Sequence, residues 1–202
     1  MERQQKKRVL VWLLRVFVIL QLLFIVYVNF SKAYGLLDYD FALSFRHGME
    51  IWKNGLFLKD FVYYSSLETD TVTFFASLLY LLTGNFSAAL AAAHLAGYAA
   101  ITLLLWDISR NLEASEEQFL LIVLMLFTPY SVGQLNWANM LFIAGGQYGF
   151  RVMTLLFFLD LLLMSSREAV PGRKWIVLTV LFGVLTFWTA LSAGNFVLCM
   201  IV

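Results

Sequence analysis

Five stretches of this chain are so apolar that their solvent has to be lipid or protein interior: Val9 to Phe30, Phe86 to Trp106, Phe119 to about Asn136, Val152 to Met164, which is short, and Trp175 to Phe196. The first is as long as the roughly 20 helical residues that a bilayer core demands. The basic residues before it, Arg3, Lys6, Lys7 and Arg8, give it the look of a signal peptide, but no small-residue cleavage site follows. It therefore reads as a retained membrane helix. Composition agrees: 61% of the 202 residues are hydrophobic and 13% are charged, against about 25% charged in soluble domains. A water-soluble globule cannot be covered with so little polar surface. A net charge of +1 gives no footprint for nucleic acid, and one cysteine, Cys199, makes neither a disulfide framework nor a metal signature.

A sixth stretch, Thr71 to Thr83, is the ambiguous one, since its helix would rise only roughly 20 Å against a core of about 30 Å. Charge bias decides it, because Lys and Arg favour short cytoplasmic loops. If Thr71 to Thr83 does not cross, the N-terminus, Arg110, and the group Arg167, Arg173 and Lys174 all face the cytoplasm. If it crosses, the last two groups face outward. The sequence thus predicts an all-α, polytopic membrane helix bundle of about five transmembrane helices, with one or two juxtamembrane amphipathic helices in the first outer loop. Residues 1–202 form a single transmembrane domain. Residues 31–85 and Pro129 to Arg151 are extracytoplasmic, and Asp107 to Gln118 and Ser165 to Lys174 are cytoplasmic. The chain stops at Val202 directly after an apolar run, which reads as the N-terminal part of a longer protein.

The first outer loop holds most of the polar chemistry: Asp38, Asp40, Arg46, His47, Glu50, Asp60, Glu68 and Asp70, with Tyr63 and Tyr64 interleaved. Phe41, Phe45, Met49 and Trp52 recur at spacings of four, four and three, one apolar face of a helix lying on the membrane with its polar face turned away. Gly55 is its C-cap. Asp38 and Asp40 precede that helix, where amides and the helix dipole favour negative charge; one cap would explain one acid and leave the other for chemistry. Asp70 is the better cap for the helix that follows it, which leaves Glu68. Gly84 and Asn85 form a turn into the next span.

The order of these features resembles the GT-C superfamily of polytopic glycosyltransferases, in its protein O-mannosyltransferase and aminoarabinose transferase branch. A first span leads to Asp38-Tyr39-Asp40, an amphipathic segment with Arg46 and Glu50, and Gly55. Tyr63-Tyr64, Glu68 and a short apolar helix ending Leu82-Thr83-Gly84 follow. The likeness covers Met1 to Asn111, and beyond that only the hydropathy pattern. It implies a sugar donor on a polyprenyl phosphate, used at the outer face of a bacterial plasma membrane, with inverting transfer to a glycan, lipid or protein acceptor. Such chemistry needs a carboxylate to take the acceptor's proton and cations or amides to hold the departing phosphate. By carry-over, Asp38 or Asp40 is the base, and Glu68 matches the acid before the family's juxtamembrane helix. Arg46, Asp70, Tyr64, Arg151 and Asn136 are the companion substrate-binding candidates.

Two departures stand out. Asp70-Thr71 occupies the place of a Pro-Pro pair common in relatives, and Pro129 to Gln147 has no acid, so a divalent metal held between the outer loops is unsupported and no cofactor is expected. Arg151 suits a lipid phosphate or an interfacial snorkel. The segments Asn136 to Asn139 and Gly145 to Tyr148 suit a sugar site or interfacial anchoring. Asp160 and His94, inside spans, read as packing residues with polar partners. The competing function is a non-catalytic membrane protein (transporter, flippase or assembly subunit) or an inactive fragment of the transferase. A transporter would concentrate its ionisable groups at mid-membrane, whereas these lie in a loop.

Overall fold

A computed structural model describes residues 2–31, 39–55, 71–128, 131–132, 135–136, 149–165, 172–173, 176–184 and 187. Apart from short connecting and capping segments they are helical, with one two-residue ladder. The helices are α1 (Glu2–Ser31), α2 (Tyr39–Asn54), α3 (Val72–Thr83), α4 (Phe86–Asn111), α5 (Glu116–Phe127), α6 (Gly149–Ser165) and a stretch α7 over 176–184. Strands β1 (Ser131–Val132) and β2 (Leu135–Asn136) pair antiparallel, Ser131 opposite Asn136. Among the described residues, α1 and α4 are long and apolar enough to cross a membrane.

The interior of α1 follows a four-three repeat, Leu14, Val18, Gln21, Ile25 and Val28, the spacing that keeps a helical seam facing a partner. Its four members other than Val18 are buried, and Val18 packs at the edge of the core. The other faces of α1 carry Phe17, Leu20, Leu23 and Tyr27, each more than half exposed. Polar side chains at four positions fix its neighbours. Lys7 reaches Glu117 at 3.0 Å and Arg15 reaches Glu116 at 2.6 Å. Higher up, Gln21 Nε2 donates to the Leu124 carbonyl at 3.0 Å and to Thr128 Oγ1 at 2.9 Å. Contacts that ascend both helices together mean that α1 and α5 run parallel. At the far end of α1, Asn29 meets His94 of α4.

The hub is α4, which packs on α1, α3, α5 and α6. Its core includes Tyr98, Ile101, Leu104 and Leu105 with Ile25, Val123, Phe127 and Met153. Helix α6 runs parallel to it: Phe150 and Met153 line one cavity with Ala93 and Gly97, and further along Asn111 donates to buried Asp160 at 2.6 Å. The acid inside the fourth apolar stretch therefore has a helix-to-helix partner, as its packing reading requires.

The short helix α3 folds back along the first half of α4. Thr71 caps it, its side chain accepting from the Phe74 N–H, and Gly84 ends it at φ 66° with its N–H on the Tyr80 carbonyl. Asn85 then caps α4 through the Ala88 N–H. Beside the turn the Tyr80 and Phe86 rings lie 6.3 Å apart, while Val72, at the opposite end of α3, clusters with Leu90 and Ala93. With 12 residues α3 is about 18 Å long, too short to cross a core of about 30 Å.

Three expectations need correction. The third apolar run is helical only to Phe127, because Thr128 turns extended (ψ 122°) ahead of Pro129, as the ring of a following proline forces. The end of that apolar run, within the segment expected to leave the span at Pro129, contains the β1–β2 ladder. The cap of α3 is Thr71 in place of Asp70: the hydroxyl one residue later is the one in register with the Phe74 amide. Finally, Asp40 lies inside the first turn of α2, which begins at Tyr39, and does not precede the helix.

Candidate functional site

The described part of the segment between α1 and α4 is a two-helix platform, α2 on α3. Its centre is a cluster of three buried hydroxyls. Ser44 Oγ and Thr71 Oγ1 are 2.6 Å apart, and Thr73 Oγ1 lies 3.0 Å from Ser44 Oγ and 2.9 Å from Thr71 Oγ1. Thr71 also takes the Phe74 amide proton at 3.1 Å, so the helix cap and the helix-to-helix contact share one oxygen. Buried hydroxyls are stable only when bonded, and this sharing fixes the start of α3 against the first turns of α2.

Further along, Gly48 sets the distance of approach. A Cβ placed there would lie 2.1 Å from Ser77 Oγ and 3.2 Å from the Phe74 carbonyl oxygen. Trp52 Nε1 donates to that same carbonyl at 3.1 Å, with its ring 4.6 Å from the Phe74 ring. Phe45 packs edge-on against Phe86 at 5.0 Å and lies 5.6 Å from Tyr80. The apolar face of α2, expected against lipid, is thus covered by α3 and the start of α4. The period was legible, but the partner was not: α3 offers a rigid aromatic surface nearer than any bilayer.

His47 is buried beside this contact. Desolvation, followed by the adjacent Arg46 guanidinium, pushes its pKa below the ordinary histidine value, so the ring is neutral at physiological pH. The N–H of Gly55 bonds the Ile51 carbonyl at 2.9 Å with φ 90°, the C-cap the sequence predicts for α2. Glu50 accepts from Asn54 at 3.0 Å.

Of the candidate site residues, Asp38, Tyr64, Glu68 and Asp70 lie outside the described residues. Asp40 sits in the first turn of α2 and Arg46 is exposed one turn and a half later. Arg151 is half-buried in the first turn of α6, next to Phe150, whose ring is 4.9 Å from that of Phe75 on α3. Asn136 is in β2. The chain segments that follow the two acidic positions meet at Ser44 and Thr71, so the platform brings the starts of α2 and α3 together. Among the described residues no three His, Cys, Asp or Glu side chains gather as a metal site.

Between α3, α4 and α6 an apolar cavity of about 300 Å³ is lined by Val72, Phe75, Leu79, Ala93, Gly97 and Phe150, among others. Its floor is small because alanine and glycine keep recurring on that face of α4. Sequence reasoning missed this cavity, the Ser44 and Thr73 hydroxyls, and the Arg15–Glu116 pair. Only the last had a signal, a lone arginine within an apolar run. Compared with protein-family models, curated proteins and solved structures, the chain matches none.

Proposed function

We propose that this chain is an integral membrane glycosyltransferase of the GT-C kind, or its N-terminal portion, with about five spans and a cytoplasmic N-terminus in a bacterial plasma membrane. It takes a sugar from a polyprenyl-phosphate donor and passes it to a glycan, lipid or protein acceptor on the extracytoplasmic side. The observation that carries the reading is the α2–α3 platform and its height relative to α1.

That height follows from helix geometry. Asn29, near the outer end of α1, is level with His94, and Phe86 stands about 12 Å further along α4 at about 1.5 Å per residue. The α3–α4 turn thus projects beyond α1, and α3 starts near the level of Ala93. On this reading α3 rests at and above the outer interface, and the proposal puts the acids of the segments leading into α2 and α3 on that side. The outward apolar faces of α1 are what a lipid-facing helix requires.

The chemistry then runs as follows. An acceptor hydroxyl attacks the anomeric carbon from the side opposite the phosphate, the carbon–oxygen bond to phosphate breaks, and the phosphate leaves with the electron pair. Asp38 or Asp40 takes the hydroxyl proton. Arg46 and Arg151 supply positive charge for the departing phosphate, and Tyr64, Asn136, Glu68 and Asp70 hold sugar or acceptor hydroxyls. The cavity beside Val72 and Phe75 suits the first units of the donor's hydrocarbon tail. No metal or cofactor enters this scheme.

Mass spectrometry of lipid-linked sugars and surface glycans tests it, in cells with the intact gene, without it, and with Asp38→Asn or Asp40→Asn. A lipid-linked sugar should accumulate on loss of the gene and in at least one of the two variants. Unchanged profiles in every strain would reject the transferase reading.

A further inference from the structure

At the opposite end of α1 a second site emerges. A cleft of about 570 Å³ lies where α1 meets the N-terminus of α5, lined by Lys7, Arg8, Val11, Trp12, Arg15 and Glu116 among others. Two of its cations are already matched: Lys7 by Glu117 at 3.0 Å and Arg15 by Glu116 at 2.6 Å. Arg8 is left over. Among the described residues it has no ion pair, so the cleft holds one uncompensated positive charge. The capping box of Ser115 and Gln118 uses the amides of those two residues internally, and Glu116 and Glu117 put negative charge in the first turn of α5, so the α5 terminus is not the feature that attracts an anion here.

The cleft does not end in water. Arg8, Trp12, Arg15, Ile19 and Leu23 follow one another at spacings of four, three, four and four, one face of α1. Trp12 is 62% exposed, Ile19 57% and Leu23 59%. A cationic pocket thus passes through an exposed tryptophan into an uncovered apolar stripe within one helix face. A soluble anion would fill the pocket and leave the stripe bare. A molecule with an anionic head and a hydrocarbon tail covers both, and tryptophan at their junction is the usual residue of the bilayer interface.

We propose that this cleft seats the headgroup of an acidic phospholipid from the leaflet that holds the N-terminus, its phosphate on Arg8 and its acyl chain along Ile19 and Leu23. Zwitterionic lipids bind less well, because their own cation competes with Arg8. The proposal rests on the membrane-crossing part of the reading above and not on glycosyl transfer. The bound lipid ties α1 to α5 at the end where they are joined by the Lys7–Glu117 and Arg15–Glu116 ion pairs.

The test uses the full chain, extracted in detergent and examined by native mass spectrometry with phosphatidylglycerol or phosphatidylcholine added, after carbonate washing of the source membranes. The wild-type chain should remain in the washed membranes and retain phosphatidylglycerol over phosphatidylcholine. Arg8→Gln should lower phosphatidylglycerol retention about fivefold, the weight of one basic residue near an anionic lipid surface. Arg8→Lys should keep most of it, and Arg110→Gln, a basic residue away from the cleft, should change nothing. Equal retention of the two lipids, or an Arg8→Gln variant that behaves as wild type, overturns the lipid site alone. Release of the wild-type chain by carbonate overturns the membrane reading as well.

Discussion

Asn29 Oδ1 and His94 Nδ1 meet at 2.7 Å across the buried contact between α1 and α4. Asn29 Nδ2 donates to the Ile25 carbonyl at 2.9 Å, which fixes the amide's orientation and leaves Oδ1 able only to accept. His94 therefore carries its proton on Nδ1. Its Nε2 is a bare lone pair, buried with no hydrogen-bond partner among the described residues. In lipid, where apolar helices have little hydrophobic reason to prefer each other over acyl chains, such contacts specify which helices pair.

Breaking that pair from one side should cost more than removing it. Asn29→Ala strands the His94 N–H and should destabilise by about 1–2 kcal/mol, while Asn29→Leu with His94→Leu should lose less than the two single changes added together. Thermal unfolding in detergent reads the difference. Nitrogen spectra of the histidine-labelled wild type should show the Nδ1-protonated tautomer for His94.

Gly48 should tolerate no side chain. The Cβ of Gly48→Ala meets the Ser77 Cβ at 3.0 Å and the Phe74 carbonyl oxygen at 3.2 Å even if the Ser77 hydroxyl rotates away. A loss of about 1–3 kcal/mol is expected, measured by thermal unfolding. The double change Gly48→Ala with Ser77→Gly should recover part of it by removing the nearest carbon.

The hairpin between α3 and α4 depends on a left-handed residue. Gly84→Ala keeps the cap hydrogen bond but forces an L side chain to φ 66°, at a cost of about 1–2 kcal/mol. Gly84→Asn should cost less, since asparagine accepts that conformation, and parallel unfolding curves rank the two.

Docking of α2 on α3 should weaken in acid. The His47 pKa lies below its unfolded value, through burial first and Arg46 second. The unfolded chain therefore binds more protons, and the contribution of neutral His47 is fully present above the unfolded pKa of about 6.5 and is lost progressively as pH falls from there through the lower folded pKa. No charged residue of α3 offsets this, because that helix has none; on α2 the nearby charges are Arg46 and Glu50. Unfolding temperature should decline below about pH 6.5 in the wild type, and His47→Gln should flatten that decline.

What the sequence made legible was local chemistry. The C-terminal end of α3, the Gly84-Asn85 turn and the Gly55 cap all follow from residues that supply their own hydrogen bonds or their own backbone conformation. Pro129 carried the signal that stops α5 at Phe127, and the expected connecting segment begins at that proline although the apolar run continues to Asn136. The choice between Asp70 and Thr71 as a cap could not be made from neighbours in sequence, since it turns on which oxygen is in register with the Phe74 amide. Pairings such as Arg15 with Glu116, 101 residues apart, and the covering of the α2 face by α3 depend on tertiary placement that no local pattern encodes.

The height of the α3–α4 turn is the claim on which the outer site depends, and cysteine labelling reads it directly. With Cys199 replaced by serine, Thr83→Cys at the exposed end of α3 should react with a membrane-impermeant maleimide on intact cells, and Glu113→Cys between α4 and α5 only after permeabilisation. Labelling of Glu113→Cys on intact cells, with Thr83→Cys protected until the membrane is opened, would mean that α4 crosses in the other direction and that the acids face the cytoplasm.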